Sequence, residues 1–261
     1  MAISAGRILA VSLRMQETIA RRVVPQLNRE FKRVAREAGK AYAEGGAAGA
    51  ASVVPEHNAR IKAIVDRIYQ TTIPAFAGET VDQINTARKE RGLAPEHKDA
   101  AFDLFEAIRA WTTEVAAMRV TQISRTTAEQ INAVIAKSVG TGATTVEVSK
   151  SINTVLGGQA RSRSIMIART ETHASATYGS EVGAQSTGLT LMKEWVAAED
   201  ERTRPGHAKM DGVMVPMDGV FHVGPSRDGA DDAANMRRPG DPTAPAGQVV
   251  NCRCVMAYVE A

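Results

Sequence analysis

At 261 residues the chain can bury one large core or two modest ones, and two parts are expected. Aromatic residues make up only 4% against 44% apolar residues overall, which suits long Ala-rich helices and disfavours a sheet-dominated core. The formal net charge is +3, no stretch offers the ~18 uninterrupted apolar residues of a membrane helix, no signal-peptide pattern is read, and two cysteines near one end exclude a disulfide framework and fit a reducing cytoplasm.

Residues 8–38 carry Leu9, Leu13, Ile19, Val23, Leu27, Phe31 and Val34 at steps of mostly three to four, with Arg14, Arg21, Arg29 and Arg36 on other faces. This spacing predicts an amphipathic helix. Pro25 lacks an amide proton and should kink or break it near Val24. The Gly/Ala run at 45–51 reads as a linker, because glycine weakens helix persistence through backbone entropy. Residues 1–40 hold nine Lys/Arg against three Asp/Glu, so this arm can meet DNA phosphates or an acidic protein surface. The plainer alternative is a solvated helix face.

A second helix is expected over 56–73, with Ile61, Ile64, Val65 and Ile68 in phase, and another over 76–91 beyond Pro74. Gly92 and Pro95 mark a turn. From 95 to 136 the apolar series Phe102, Phe105, Ile108, Val115, Met118, Ile123, Ile131 and Ile135 predicts one or two long helices, ended by Gly140-Thr141-Gly142. Thr144 or Thr145 should cap a helix over 146–156, closed by Gly157-Gly158, and 159–187 should be the longest Ala-rich helix. Thereafter the texture changes to short strands and Gly/Pro-rich loops, with strands expected at 189–197, 213–215, 219–222 and 253–259. The fold class is therefore α+β and mainly α-helical: long N-terminal helices, then a small C-terminal α+β domain with short antiparallel strands. The transition is placed near 115–140, giving a helical region 1–115 and a second domain 116–261, with helices over 116–187 and sheet and loops over 188–261.

The most informative residues lie late in the chain. Trp195, Asp200, Arg202, Arg204, His207, Asp211 and Gly212 fall within eighteen residues, and Asn251-Cys252-Arg253-Cys254 follows. The signature W-x4-D-x-R-x-R-x2-H-x3-D-G with a terminal N-C-R-C resembles the C-terminal domain of phage Mu F-like head morphogenesis proteins, also called minor head or minor capsid proteins. Ile167-Ala168-Arg169-Thr170-Glu171-Thr172-His173, followed by an Ala/Gly-rich helix, resembles the helix that precedes this signature in the family. The resemblance covers roughly 120–261. It implies a non-enzymatic minor head protein of procapsid and head assembly, associated with the portal vertex or inner shell. The implied partners are the portal protein and/or the major capsid protein, with DNA contact through the basic N-terminal region as a further expectation. Such a protein would be made in the host bacterial cytoplasm and reside in the virion, in the head or procapsid interior, with neither a membrane nor a small-molecule substrate.

Two other readings of the same residues stand beside this one. Arg202, Arg204 and His207 combine oxyanion-binding guanidinium groups with an imidazole, so a small nuclease or phosphoryl-handling enzyme is one alternative. They can equally pin a turn, with Asp200 accepting backbone and arginine hydrogen bonds and His207 joining a buried polar network. Cys252 and Cys254, at i and i+2, would share one face of a strand and, with His207, are candidate zinc ligands; a fourth ligand would come from His173, His222 or Asp211. The main reading has no cofactor, and the alternative is a zinc-stabilised binding module. Asp200→Ala is expected to cost 1–3 kcal/mol if its arginine pair is buried.

Arg169 and Glu171 are expected to tie their helix to the sheet, and Trp195 and Trp111 to anchor cores. His57 and His97 read as surface or capping residues. No G-x4-G-K-[ST] or G-x-G-x2-G cradle is present, which argues against ATP-driven chemistry. The N-terminal helices are assigned to assembly, and removal of residues 1–45 is expected to leave a folded remainder.

Overall fold

A computed structural model describes residues 4–96 and 103–261. Three long helices dominate: α1 (Ala5–Glu90), α2 (Leu104–Gly140) and α3 (Thr145–Gln185). They are followed by β1 (Leu191–Val196), α4 (Pro205–Ala208), β2 (Met214–Pro216), β3 (Phe221–Val223), β4 (Ala234–Met236), α5 (Ala246–Val249) and β5 (Val255–Glu260). The mainly helical α+β class is what the structure has. Among the described residues no helix is long and apolar enough to cross a membrane. His97 and Phe102 lie outside the described residues.

α1 starts at Ser4, whose hydroxyl accepts the Arg7 N–H, and contains non-helical backbone only at Gly45 and Gly46. Gly46 has φ 60° and ψ −150°, a conformation that only glycine adopts without strain, and the chain reverses there. The 45–51 run is thus a two-residue hinge in a helical hairpin, with helix resuming at once on the far side. A β-carbon at Gly49 would sit 2.4 Å from the Ala41 carbonyl oxygen, which shows how closely the two arms approach. Contrary to expectation, the helix runs unbroken through Pro25 and Pro74, and α3 through Gly157 and Gly158. Pro25 is solvent-exposed, while Val23, Leu27 and Phe31 beside it are buried; packing of that face outweighs the hydrogen bond that proline forfeits. Leu156 and Ala160 likewise hold α3 across its glycine pair.

The turn at Gly92 has φ +75°, and that between α2 and α3 has φ +76° at Gly142. Thr144 caps α3 reciprocally: the Glu147 carboxylate accepts the Thr144 N–H at 2.7 Å and the Thr144 hydroxyl accepts the Glu147 N–H at 3.4 Å.

Two compact units result, each assembled from segments far apart in sequence. The first comprises 20–67 and 110–168. It is a bundle of four helical segments from two hairpins, with Val34, Ala35, Ala38, Val53, Ile131, Ile135, Val148 and Ile152 in one core. Arg163 joins the hairpins, donating to the Ile123 carbonyl and Thr127 while its guanidinium lies 4.5 Å over the Phe31 ring. His57 is buried, contrary to the surface reading, and its ring nitrogens engage the carboxylates of Glu30 and Glu37.

The second unit takes in the described parts of 1–19, 68–109 and 169–261. Here β1 is the centre of a three-stranded antiparallel sheet in the order β2-β1-β5, and β3 pairs with β4 in a separate two-stranded ribbon. Gly179 and Gly183, one helical turn apart on α3, admit the backbone of α1: a β-carbon there would lie 2.6 Å and 2.4 Å from the carbonyl oxygens of Ile73 and Ala77. Ile8 packs with Val196, Val255 and Ala257 on the sheet. Deleting residues 1–45 would therefore strip Ile8 from one core and Leu27, Phe31 and Val34 from the other, so a folded remainder is no longer the expected outcome.

Candidate functional site

β1 and β5 run antiparallel with Val196 opposite Val255, so the residues that leave β1 and those that enter β5 meet at one end of the sheet. This register explains the split signature: one half is the exit from β1, the other the approach to β5. Trp195, in β1, is fully buried and meets His207 and Phe221 edge-on, with ring centroids 5.1 Å and 5.2 Å away. Asp211 and Gly212 fold back onto the same strand, where Asp211 accepts the Ala197 N–H at 2.8 Å and the Gly212 N–H donates to the Trp195 carbonyl at 2.9 Å. Gly212 has φ +72°, which explains why glycine follows the aspartate.

Asp200 caps its own turn by accepting the Arg202 N–H, and its carboxylate is gripped by both outer nitrogens of Arg253. Those hydrogen bonds hold the Asp200 carboxyl down to about 2. Arg204 reaches across to the carbonyls of Gly247 and Val250, at 2.5 Å each, and so fixes α5 and the turn after it. That turn ends at Asn251, whose φ of 55° suits asparagine better than most residues and whose N–H donates to Thr170 on α3. Cys252-Arg253-Cys254 lies just before β5, not within a strand. The chain there still alternates, with Arg253 turned to Asp200 and both sulfurs turned to His207.

His207 is held in the interior by α4. Its Nε2 faces the Gln248 side-chain oxygen at 2.9 Å, and its Nδ1 stands 3.5 Å from each of the Cys252 and Cys254 sulfurs. The three ligand atoms lie within 4.8 Å of one another, and all three residues are buried. The two neighbouring thiols shift apart: Cys254, together with burial, pushes the Cys252 thiol up, while Cys252 and His207 draw Cys254 down. Gln248 was not singled out from the sequence, and nothing in its local pattern marks it. Only the fold brings it to the imidazole.

The suggested fourth ligands do not join this set. Asp211 is taken by Ala197, His222 sits exposed on β3 against Asn235, and His173 is buried with Nδ1 3.3 Å from Gln16. Glu171 accepts a 2.5 Å hydrogen bond from Tyr69 of α1. Glu181 links α3 to the sheet, buried and bound to Lys193 of β1 at 3.4 Å and to Arg238 at 2.6 Å. Burial lowers the Lys193 pKa, while Glu181 works in the opposite direction.

Arg169, Arg202, Arg204, Arg253, Asn251 and Cys252 line a cleft of about 650 Å³, together with Gln16 and Glu17 of α1. The residues of the enzyme alternative do not converge in it. His207 is directed inward to Gln248 and the cysteines, and the Arg204 guanidinium is occupied by two backbone carbonyls.

Comparison with known proteins places this geometry. Residues 129–257, which contain all these signature residues, match the family described as Phage Mu protein F like protein. The chain is also 34% identical over 96 residues to the minor head protein GP7 of Bacillus phage SPP1, a match covering 36% of this chain and 29% of that relative. No solved structure gives a significant match. Residues 129–257, just under half of the chain, are thus similar to the Mu F-like family of phage head proteins.

Proposed function

We propose that this protein is a non-enzymatic minor head protein of a bacteriophage, taken into the procapsid during head assembly and resident in the virion. The observation that carries the proposal is the Mu F-like match over the very residues that brace the β1–β5 end of the sheet. In this reading Trp195, Asp200, Arg204, Asp211, Gly212, Asn251 and Arg253 are structural, each engaged with its own chain. The stretch 116–261, divided between the two compact units, carries the head-protein signature, and the helical stretch 1–115, likewise divided, supplies assembly contacts to the portal protein and/or the major capsid protein.

DNA is the further partner proposed, on one specific observation: Arg14, Arg21, Arg22, Arg29, Arg36 and Lys40 of α1 are all exposed, with Arg14, Arg21, Arg22, Arg29 and Arg36 recurring at close to seven-residue spacing. A row of cations on a helix meets phosphate by counterion release, so any such binding must weaken steeply with salt.

Co-expression with the portal and major capsid proteins of the same phage, followed by sedimentation, tests the central proposal. The chain is expected to travel with procapsids, and a chain that stays in the soluble fraction would contradict it. Nuclease turnover lost in His207→Ala without loss of stability would favour the enzyme alternative instead.

A further inference from the structure

We propose that His207, Cys252 and Cys254 form a zinc site that locks the approach to β5 against α4. The His207 tautomer is set by its partner. The Gln248 amide nitrogen donates to the carbonyls of Gly224 at 3.0 Å and Asp232 at 2.7 Å, which orients its oxygen toward His207. That oxygen can only accept, so the His207 proton sits on Nε2 and the lone pair on Nδ1. Nδ1 thus points a single lone pair at two sulfurs equidistant from it.

A lone pair can take one S–H hydrogen bond, and an ordinary buried cysteine packs its sulfur against carbon. Two sulfurs converging on one nitrogen lone pair is the donor arrangement of a metal site. The dimensions agree: Zn–S of about 2.3 Å and Zn–N of about 2.0–2.1 Å across a tetrahedral angle put sulfur and nitrogen about 3.5–3.6 Å apart. Two thiolates and an imidazole select zinc over the oxygen-preferring magnesium and calcium. Gln248 does what an outer-shell partner does, holding the ring and its tautomer from the side opposite the metal.

On binding, each thiol gives a proton to solvent and each sulfur forms a bond to Zn²⁺, while Nδ1 donates its pair with no proton released. Three protein donors leave a fourth position, filled by a water molecule that enters from the cleft lined by Cys252. Trp195 walls the imidazole on its edge and excludes solvent from that side.

The test uses the full chain, purified without chelator from zinc-supplemented medium. Elemental analysis is expected to give about one zinc per chain, lost in the Cys252→Ser/Cys254→Ser double variant. Because loss of two buried sulfurs can itself unfold a chain, the wild-type chain stripped of metal is also titrated with Co²⁺. It should show a sulfur-to-cobalt charge-transfer band with the intense visible bands of tetrahedral cobalt. Gln248→Leu should keep the thiols and the charge-transfer band but weaken Co²⁺ binding about 10–100-fold. Absence of zinc together with absence of the charge-transfer band overturns the proposal. So does zinc retained at full stoichiometry by the double cysteine variant, or Co²⁺ affinity unchanged in Gln248→Leu.

Discussion

At the scale of single residues, what matters is which polar groups are buried with a partner and which are paired in solvent. The Asp200–Arg253 pair is bidentate but partly exposed, with side-chain exposures of 40% and 24%, so the larger loss expected of a buried pair does not apply. Asp200→Ala should lower stability by only ~0.2–1 kcal/mol, read as a small fall in melting temperature. Glu181→Ala should do far more. It leaves Lys193 and Arg238 buried without their carboxylate, a loss of about 3–5 kcal/mol that thermal or urea unfolding would register. Acid has a defined effect as well. Asp200 is held low by Arg253; in Asp241, burial opposes the charged form but the Arg237 and Thr243 N–H groups and the Thr243 hydroxyl keep the pKa below its usual value. A depressed carboxylate stabilises the fold above its unfolded pKa of about 3.9 and ceases to as pH falls through the folded value, about 2 for Asp200. Melting temperature should therefore drop between roughly pH 4 and 2, and Asp241→Asn should flatten that slope; an unchanged slope would remove Asp241 from the account. The signature residues could be picked out in the sequence because they are chemically distinctive at close spacing. Glu181, Lys193, Arg238 and Gln248 could not, since each gains its role only from a partner at least twelve residues away.

At the scale of elements, helices were readable and their ends were not. Apolar periodicity locates the helical stretches, yet proline and glycine do not break them where expected, because the buried faces around Pro25 and Gly157 impose the helix regardless. The reverse held at Gly45 and Gly46, where two residues turn the chain and the neighbouring alanines simply continue as helix. β4 is as short as β2 and β3 but, as Ala-Asn-Met, carries no β-branched or aromatic residue to mark it as a strand. The glycines of α3 show where an element is constrained by its neighbour. Gly183→Val should destabilise by at least about 1–3 kcal/mol, since the new side chain would press on the Ala77 backbone of α1, whereas Gly158→Ala, in open space, should be tolerated or stabilising. Equal melting temperatures for these two variants would show that α1 and α3 do not approach as described.

At the scale of the whole molecule, the proposed function rests on what the braced sheet and the long helices would meet in a phage head. Because deletion of 1–45 would open both cores, the assembly role proposed for the first helix is better tested by charge. Reversing Arg14, Arg21 and Arg29 to glutamate leaves buried positions untouched and should reduce incorporation into procapsids while melting stays close to wild type. Unchanged incorporation would relocate the contact to another face. The account's central claim is tested most directly by quantitative mass spectrometry of heads purified from infected cells. The chain should be present in every preparation at far fewer copies than the major capsid protein; abundant chain in the lysate with none in purified procapsids or virions would contradict it.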